Sequence, residues 1–183
     1  MERVPNILSA LRIAAAPALL VLAWFGQSDA FLCLFAAALS TDVADGWLAR
    51  RFGLQSELGA RLDSLGDLLM WSTLPFAGWW LWPERVIDQL PFVVVAISSL
   101  LLPIAIGLAR WKRLTSYHTW GAKLSSLLIG PGLLALFATS SDVLFQVATG
   151  VLALSALDEI AITFVLERWR VDVPSVVHAL HER

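Results

Sequence analysis

Six apolar segments, each close to the length of a bilayer, take up most of the chain. They run over residues 7–25, 30–49, 63–82, 89–109, 119–139 and 143–166. A hydrocarbon core about 30 Å thick needs about 20 apolar residues as helix. The segments are joined by short connections such as "GQSD" at 26–29, "PERVID" at 83–88 and "SSD" at 140–142. The pattern predicts an all-α integral membrane protein with six transmembrane helices. Composition agrees: of 183 residues, 58% are hydrophobic and 15% charged, whereas about a quarter of a soluble globular chain is charged. No internal repeat or long linker divides the chain, so one domain over 1–183 is expected.

The cations orient the segments. Arg3 precedes the first; Arg50, Arg51 and Arg61 follow the second; Arg110, Lys112 and Arg113 follow the fourth; Arg168, Arg170 and Arg183 follow the sixth. Only Arg85 falls in an odd-numbered connection. The positive-inside rule then places both termini and the even-numbered connections in the cytoplasm. Tryptophans support this, with Trp24, Trp79, Trp80 and Trp82 near one set of ends and Trp47, Trp111, Trp120 and Trp169 near the other. An indole favours the headgroup level. The first segment has no small-x-small cleavage site after it and carries Arg12, so it is expected to be retained rather than removed as a signal peptide. Pro17, Pro75, Pro103 and Pro131 fall inside apolar segments, where neighbouring helices can absorb a kink.

The single cysteine, Cys33, excludes an intrachain disulfide and a cysteine-based metal site. The histidines, His118, His178 and His181, make no zinc pattern.

Residues 41–69, "TDVADGWLARRFGLQSELGARLDSLGDLL", break the apolar rule. Asp42 and Asp45 are three apart, and Asp63 and Asp67 are four apart, so on helices each pair shares a face. One pair closes the second segment and the other opens the third, on the cytoplasmic side, where they can converge. Four carboxylates at a membrane edge repel one another, and a charge within a membrane helix is costly. Hard divalent cations answer both problems. Oxygen-only ligands favour magnesium or manganese over zinc, and magnesium keeps positions open for phosphate and water. Gly46 and Gly59 let a ligand approach the backbone. Arg50 offers a planar fork for a diphosphate, and Ser56 a hydroxyl. Simpler roles exist for each residue alone: Asp63 favouring a helix start, Asp42 pairing with Arg12 or Lys123, and the arginines serving only as positive-inside charge.

The stretch reads D-x2-D-G-x2-A-R-x8-G-x3-D-x3-D, through Asp42, Asp45, Gly46, Ala49, Arg50, Gly59, Asp63 and Asp67. It resembles the signature of the CDP-alcohol phosphotransferase (CDP-alcohol phosphatidyltransferase) family of integral membrane enzymes. Eight fixed residues match by chance on the order of 10⁻¹⁰ per starting point. The opening "VPNILSALRIAAAPALL" also resembles the family's first segment, with a Pro-Asn pair before an apolar helix that carries an arginine.

The resemblance implies metal-dependent transfer of a phosphatidyl group from a CDP-linked lipid, CDP-diacylglycerol, to an alcohol with release of CMP, in phospholipid biosynthesis. It implies two Mg²⁺ or Mn²⁺ ions held by Asp42, Asp45, Asp63 and Asp67, with Asp67 also the general base. Gly46 and Arg50 would contact the CDP-lipid, with Ala49, Ser56, Gly59 and Asn6 lining its site. It implies a homodimer, for which Ala14, Ala15 and Ala16 allow close helix contact. The expected partners are CDP-diacylglycerol, a small alcohol and membrane lipid, with no nucleic acid. The expected location is a bacterial inner (cytoplasmic) membrane, with the site facing the cytoplasm.

For the acceptor, "ARWKRLTSYHTWGAKLSSLL" (109–128) supplies Arg110, Lys112, Arg113 and Lys123. The family's phosphorylated acceptors are held by basic residues here, and the expected acceptor is glycerol 3-phosphate or another phosphorylated polyol, as in phosphatidylglycerophosphate synthases. The run resembles the Gly-Lys-Leu-Lys-Thr of glycerophosphate-using members but lacks its second lysine and the glycine before the first. Of Asp158 and Glu159, inside the sixth segment, one is expected to pair with Arg12 or Lys123, a structural role rather than a catalytic one. Three alternatives compete: a transporter with an acidic cation site, a non-catalytic scaffold of the same fold, and a membrane prenyltransferase with aspartate-rich motifs, whose spacing differs. Acids at one membrane edge rather than the midplane, with no inverted repeat, argue against the transporter. The complete motif argues against the scaffold.

Overall fold

The computed structural model describes residues 3–52, 57–113, 117, 119–139, 141–170 and 172–181. The side chains of 3–9, 45–50, 52, 57, 58, 60, 61, 63, 64 and 181 lie outside that description. Among the described residues, six long helices follow the six apolar segments: α1 (Arg3–Trp24), α2 (Ser28–Phe52), α3 (Glu57–Leu81), α5 (Leu90–Trp111), α6 (Trp120–Ala138) and α7 (Val143–Val165). Two short helices are also described, α4 (Pro83–Asp88), in a stretch expected to be a connection, and α8 (Val176–His181), beyond the last apolar segment. Three helices, α5, α6 and α7, are long and apolar enough to cross a membrane, and Ala10–Trp24 is a shorter apolar stretch among the described residues. Pro17, Pro75, Pro103 and Pro131 all sit inside helices.

The chain divides into two compact units, Met1–Ile87 and Asp88–Arg183. In the first, α1 packs against α2 and α3. Its packing face is a stripe at helical spacing, Arg12, Ala16, Leu19 and Ala23, all buried. Phe31, Phe35 and Ala38 of α2 and Met70, Thr73, Leu74 and Ala77 of α3 are buried as well. The alanines let helices approach closely, as membrane packing requires where lipid is as apolar as the protein core. Hydroxyls on these helices bond back along the helix: Thr41 Oγ1 donates to the Ala38 carbonyl at 2.8 Å, and Thr73 Oγ1 to that of Met70 at 2.6 Å. At the other end, Trp24 meets Trp80 edge-on, with ring centroids 5.2 Å apart. The α1–α2 turn is a Schellman motif. Gly26 takes φ +69°, the Gln27 amide donates to the Leu22 carbonyl (2.9 Å) and the Gly26 amide to that of Ala23 (3.1 Å).

In the second unit, α7 packs against α5, α6 and α8. One end is tied by a polar cluster, in which Asp142 Oδ2 accepts from Gln89 Nε2 (3.0 Å) and Gln146 Nε2 (3.2 Å). Gln146 Nε2 also donates to Gln89 Oε1 at 3.1 Å. The other end holds the C-terminal segment. Tyr117, Ile162, Leu166, Val173 and Ala179 form a buried cluster there. Asp158 Oδ1 accepts from the Val176 amide at the start of α8 (2.9 Å), and the Trp120 amide donates to the Pro174 carbonyl (3.2 Å). Asp158 thus has a structural role, but its partner is a backbone amide rather than Arg12 or Lys123.

Candidate active site

Helix register puts Asp42, Asp45, Gly46, Ala49 and Arg50 on the last turns of α2, and Gly59, Asp63 and Asp67 on the first turns of α3. Within each pair the two aspartates stand about one turn apart. Helix α3 begins at Glu57, six residues before the apolar segment itself, so Asp63 lies inside the helix and not at its start. The role proposed for Asp63 at a helix terminus is therefore corrected. Hydropathy misses the first turns of α3 because Glu57 and Arg61 are charged.

Two of the four carboxylates are brought together through a third helix. Arg12 of α1 donates from Nη2 to Asp42 Oδ1 at 2.9 Å and from Nη1 to Asp67 Oδ1 at 3.1 Å. The arginine side chain is fully buried, while those of Asp42 and Asp67 are 42% and 41% exposed. A guanidinium stays charged, and a buried charge survives only with partners. Nη2 bonds a carboxylate of α2 and Nη1 a carboxylate of α3. Of the two partners open to Asp42 on sequence grounds, Arg12 is present; its simultaneous bond to Asp67, 55 residues away, is not visible in any local pattern. The available signal was the cation itself, since an arginine within an apolar segment demands a partner.

The side chains of Asp45 and Asp63, with those of Ala49, Arg50 and Asn6, lie outside the described residues, as does the whole of Ser56. Gly59 is half-buried in the first turn of α3. No group of three or more metal-ligating side chains gathers among the described residues. The donor set itself suits a hard divalent ion: the groups are carboxylates, and two of them from separate helices already converge on one cation.

The four basic residues assigned to the acceptor lie in the second unit. Arg110 donates to the Leu166 carbonyl (3.3 Å) and stacks 5.0 Å from the Trp111 ring and 5.8 Å from that of Phe164. Arg113 lies 5.3 Å from the Trp169 ring. Lys112 ends α5 in the left-handed conformation, φ 56°. Lys123 is exposed in the first turns of α6, its Nζ 5.0 Å from the Trp120 ring. It needs no buried counter-ion, because α6 begins only three residues earlier.

The described residues are helical, with three helices long and apolar enough to cross a membrane and with Asp42 and Asp67 bound to a buried arginine, the architecture of a membrane protein. Residues 2–167 match the family model of CDP-alcohol phosphatidyltransferase. The chain belongs to that family, and it is a transferase. Among its relatives is the CDP-diacylglycerol--glycerol-3-phosphate 3-phosphatidyltransferase of Rickettsia typhi, 26% identical over 163 residues, covering 87% of this chain and 86% of that protein. An Arabidopsis thaliana protein named for the same reaction is 43% identical over 70 residues, 36% of this chain and 30% of that one. A cardiolipin synthase (CMP-forming)/mitochondrial hydrolase fusion protein of Schizosaccharomyces pombe is 29% identical over 119 residues, 63% of this chain but only 19% of the fusion. No solved structure matches the chain.

Proposed function

We propose that this protein transfers a phosphatidyl group from CDP-diacylglycerol to glycerol 3-phosphate and releases CMP. The observation that carries the reading is the joining of Asp42 and Asp67, one from each aspartate pair of the family motif, through Arg12. Relatives named for this same reaction support the choice of acceptor.

Asp42, Asp45, Asp63 and Asp67 would hold two Mg²⁺ or Mn²⁺ ions. When bound, these supply the positive charge that draws in the diphosphate and offsets charge developing on the leaving CMP. Arg50 grips the diphosphate, and Gly46 and Gly59 leave room for it beside the backbone, with Ala49, Ser56 and Asn6 along the nucleotide. Asp67 accepts the proton of the acceptor hydroxyl as its oxygen attacks the phosphatidyl phosphorus. The new P–O bond forms as the bond to CMP breaks, so no covalent enzyme intermediate is needed. Arg110, Lys112, Arg113 and Lys123 take the acceptor's phosphate. In this reading the chain is a single domain over 1–183 with six spans, and both termini are cytoplasmic. The site opens to the cytoplasmic face of an inner membrane, and the enzyme works as a homodimer. The lipid tails then remain in the bilayer while the soluble acceptor arrives from the cytosol.

The test is CMP release and lipid product from purified protein with CDP-diacylglycerol, a panel of alcohols and Mg²⁺, with and without EDTA. Turnover with glycerol 3-phosphate alone, abolished by EDTA, supports the proposal. Turnover only with an unphosphorylated alcohol rejects the acceptor. No CMP from any alcohol, with CDP-lipid still bound, indicates a scaffold, and ion uptake without CMP release a transporter.

A further inference from the structure

Arg12 stands outside the eight-residue motif, yet it contacts two of the motif's aspartates. It lies on the buried stripe of α1, at a position that packing alone would fill with an apolar residue. A cation there is costly unless its charge is used. Its two terminal nitrogens are fixed in one plane by the guanidinium, so the carboxylates they hold are set at one separation and in one orientation. One carboxylate comes from α2 and the other from α3. Both carboxylates remain about two-fifths exposed, so each still presents a face outward while bound to Arg12. The arginine therefore has the geometry of a support beneath the site and not that of a group facing substrate.

We propose that Arg12 is a positioning residue that arranges Asp42 and Asp67 as ligands before a divalent ion arrives. The proposal rests on the reading of these aspartates as metal ligands. Partners that orient metal ligands typically contribute about 10–100-fold to metal affinity. A lysine in this place keeps the charge but offers a compact ammonium, which cannot fix two carboxylates in one plane. A methionine keeps much of the stem and loses the charge.

The experiment measures Mn²⁺ binding to the full chain in lipid nanodiscs, without substrate, from the electron paramagnetic resonance signal of free Mn²⁺. Thermal unfolding in EDTA is recorded in parallel. Arg12→Lys is expected to remain folded and to bind Mn²⁺ about tenfold more weakly, and Arg12→Met to lose affinity further, towards about 100-fold. Leu19→Ala, on the same stripe of α1, serves as the packing control: it lowers the unfolding temperature and leaves Mn²⁺ affinity unchanged. Should Arg12→Met fail to fold, Arg12→Lys decides alone. Wild-type affinity in Arg12→Lys, with or without lost stability, overturns the proposal and leaves Arg12 a structural ion-pair partner. Tighter binding also overturns it, because Arg12 would then compete with the metal. If wild-type protein binds no Mn²⁺, the metal reading itself fails and the positioning role with it.

Discussion

Replacing Asp67 by asparagine separates the chemical role of this carboxylate from its structural one. The substitution keeps the shape and leaves an oxygen that can accept from Arg12 Nη1, now 3.1 Å from Asp67 Oδ1. What is lost is one negative charge beside a buried guanidinium. Stranding a buried charge altogether costs about 3–5 kcal/mol. Here Asp42 still holds Nη2 at 2.9 Å, so the loss is closer to the difference between a charge-assisted and a neutral hydrogen bond, about 1–2 kcal/mol. The second carboxylate is also 41% exposed, and water screens part of that difference. The fold should therefore survive with a small drop in unfolding temperature. Turnover should fall by about 10²–10⁴, the contribution of a general base, with CDP-lipid binding largely retained. The assay pairs CMP release under saturating substrates with binding of CDP-diacylglycerol to the same preparation. Turnover within tenfold of wild type, or loss of lipid binding with turnover preserved, would refute the base assignment.

Three further outcomes test individual contacts. Lys123→Met should raise KM for glycerol 3-phosphate about tenfold or more, the loss of one charge-assisted contact, and leave KM for CDP-diacylglycerol unchanged; a KM for glycerol 3-phosphate equal to that of the wild type removes Lys123 from the acceptor site. Gly121→Ala should destabilise the second unit by about 1–3 kcal/mol, since its added Cβ would stand 2.9 Å from Ser155 Cβ and 3.2 Å from its Cα; an unchanged unfolding temperature refutes the close approach. Asp142→Ala should cost about 1–3 kcal/mol by removing the acceptor of the buried Gln89 amide, and Asp142→Asn less; equal losses from the two would show that the oxygen is not what matters.

Hydropathy is a strong local signal, and for that reason the long helices were legible. The apolar segments at 30–49 and 143–166 correspond to α2 and α7, with ends displaced by a few residues. Gly26 marked its turn because only a residue without Cβ takes a positive φ there freely. Helix outside the apolar segments was not visible. Neither the first turns of α3 nor α4 and α8 carries a membrane-like apolar run. The identities and spacing of the four aspartates were readable, because helical period converts gaps of three and four into shared faces. Their fastening was not. Arg12 meets Asp67 across 55 residues, and Asp158 meets the Val176 amide across 18, through the packing of separate helices. The basic residues at 110–123 were equally readable as charge. That Arg110 stacks on Phe164 and Arg113 on Trp169 depends on how the end of α5 meets the end of α7 and the segment after it.

If carboxylates of α2 and α3 share divalent ions, anomalous diffraction from Mn²⁺-loaded crystals of the full chain should show two peaks between the ends of these helices, about 2.0–2.3 Å from oxygens of Asp42, Asp45, Asp63 and Asp67, the range expected for hard cations on oxygen. Peaks elsewhere, or none at these aspartates in crystals of protein whose turnover requires Mn²⁺, would contradict it.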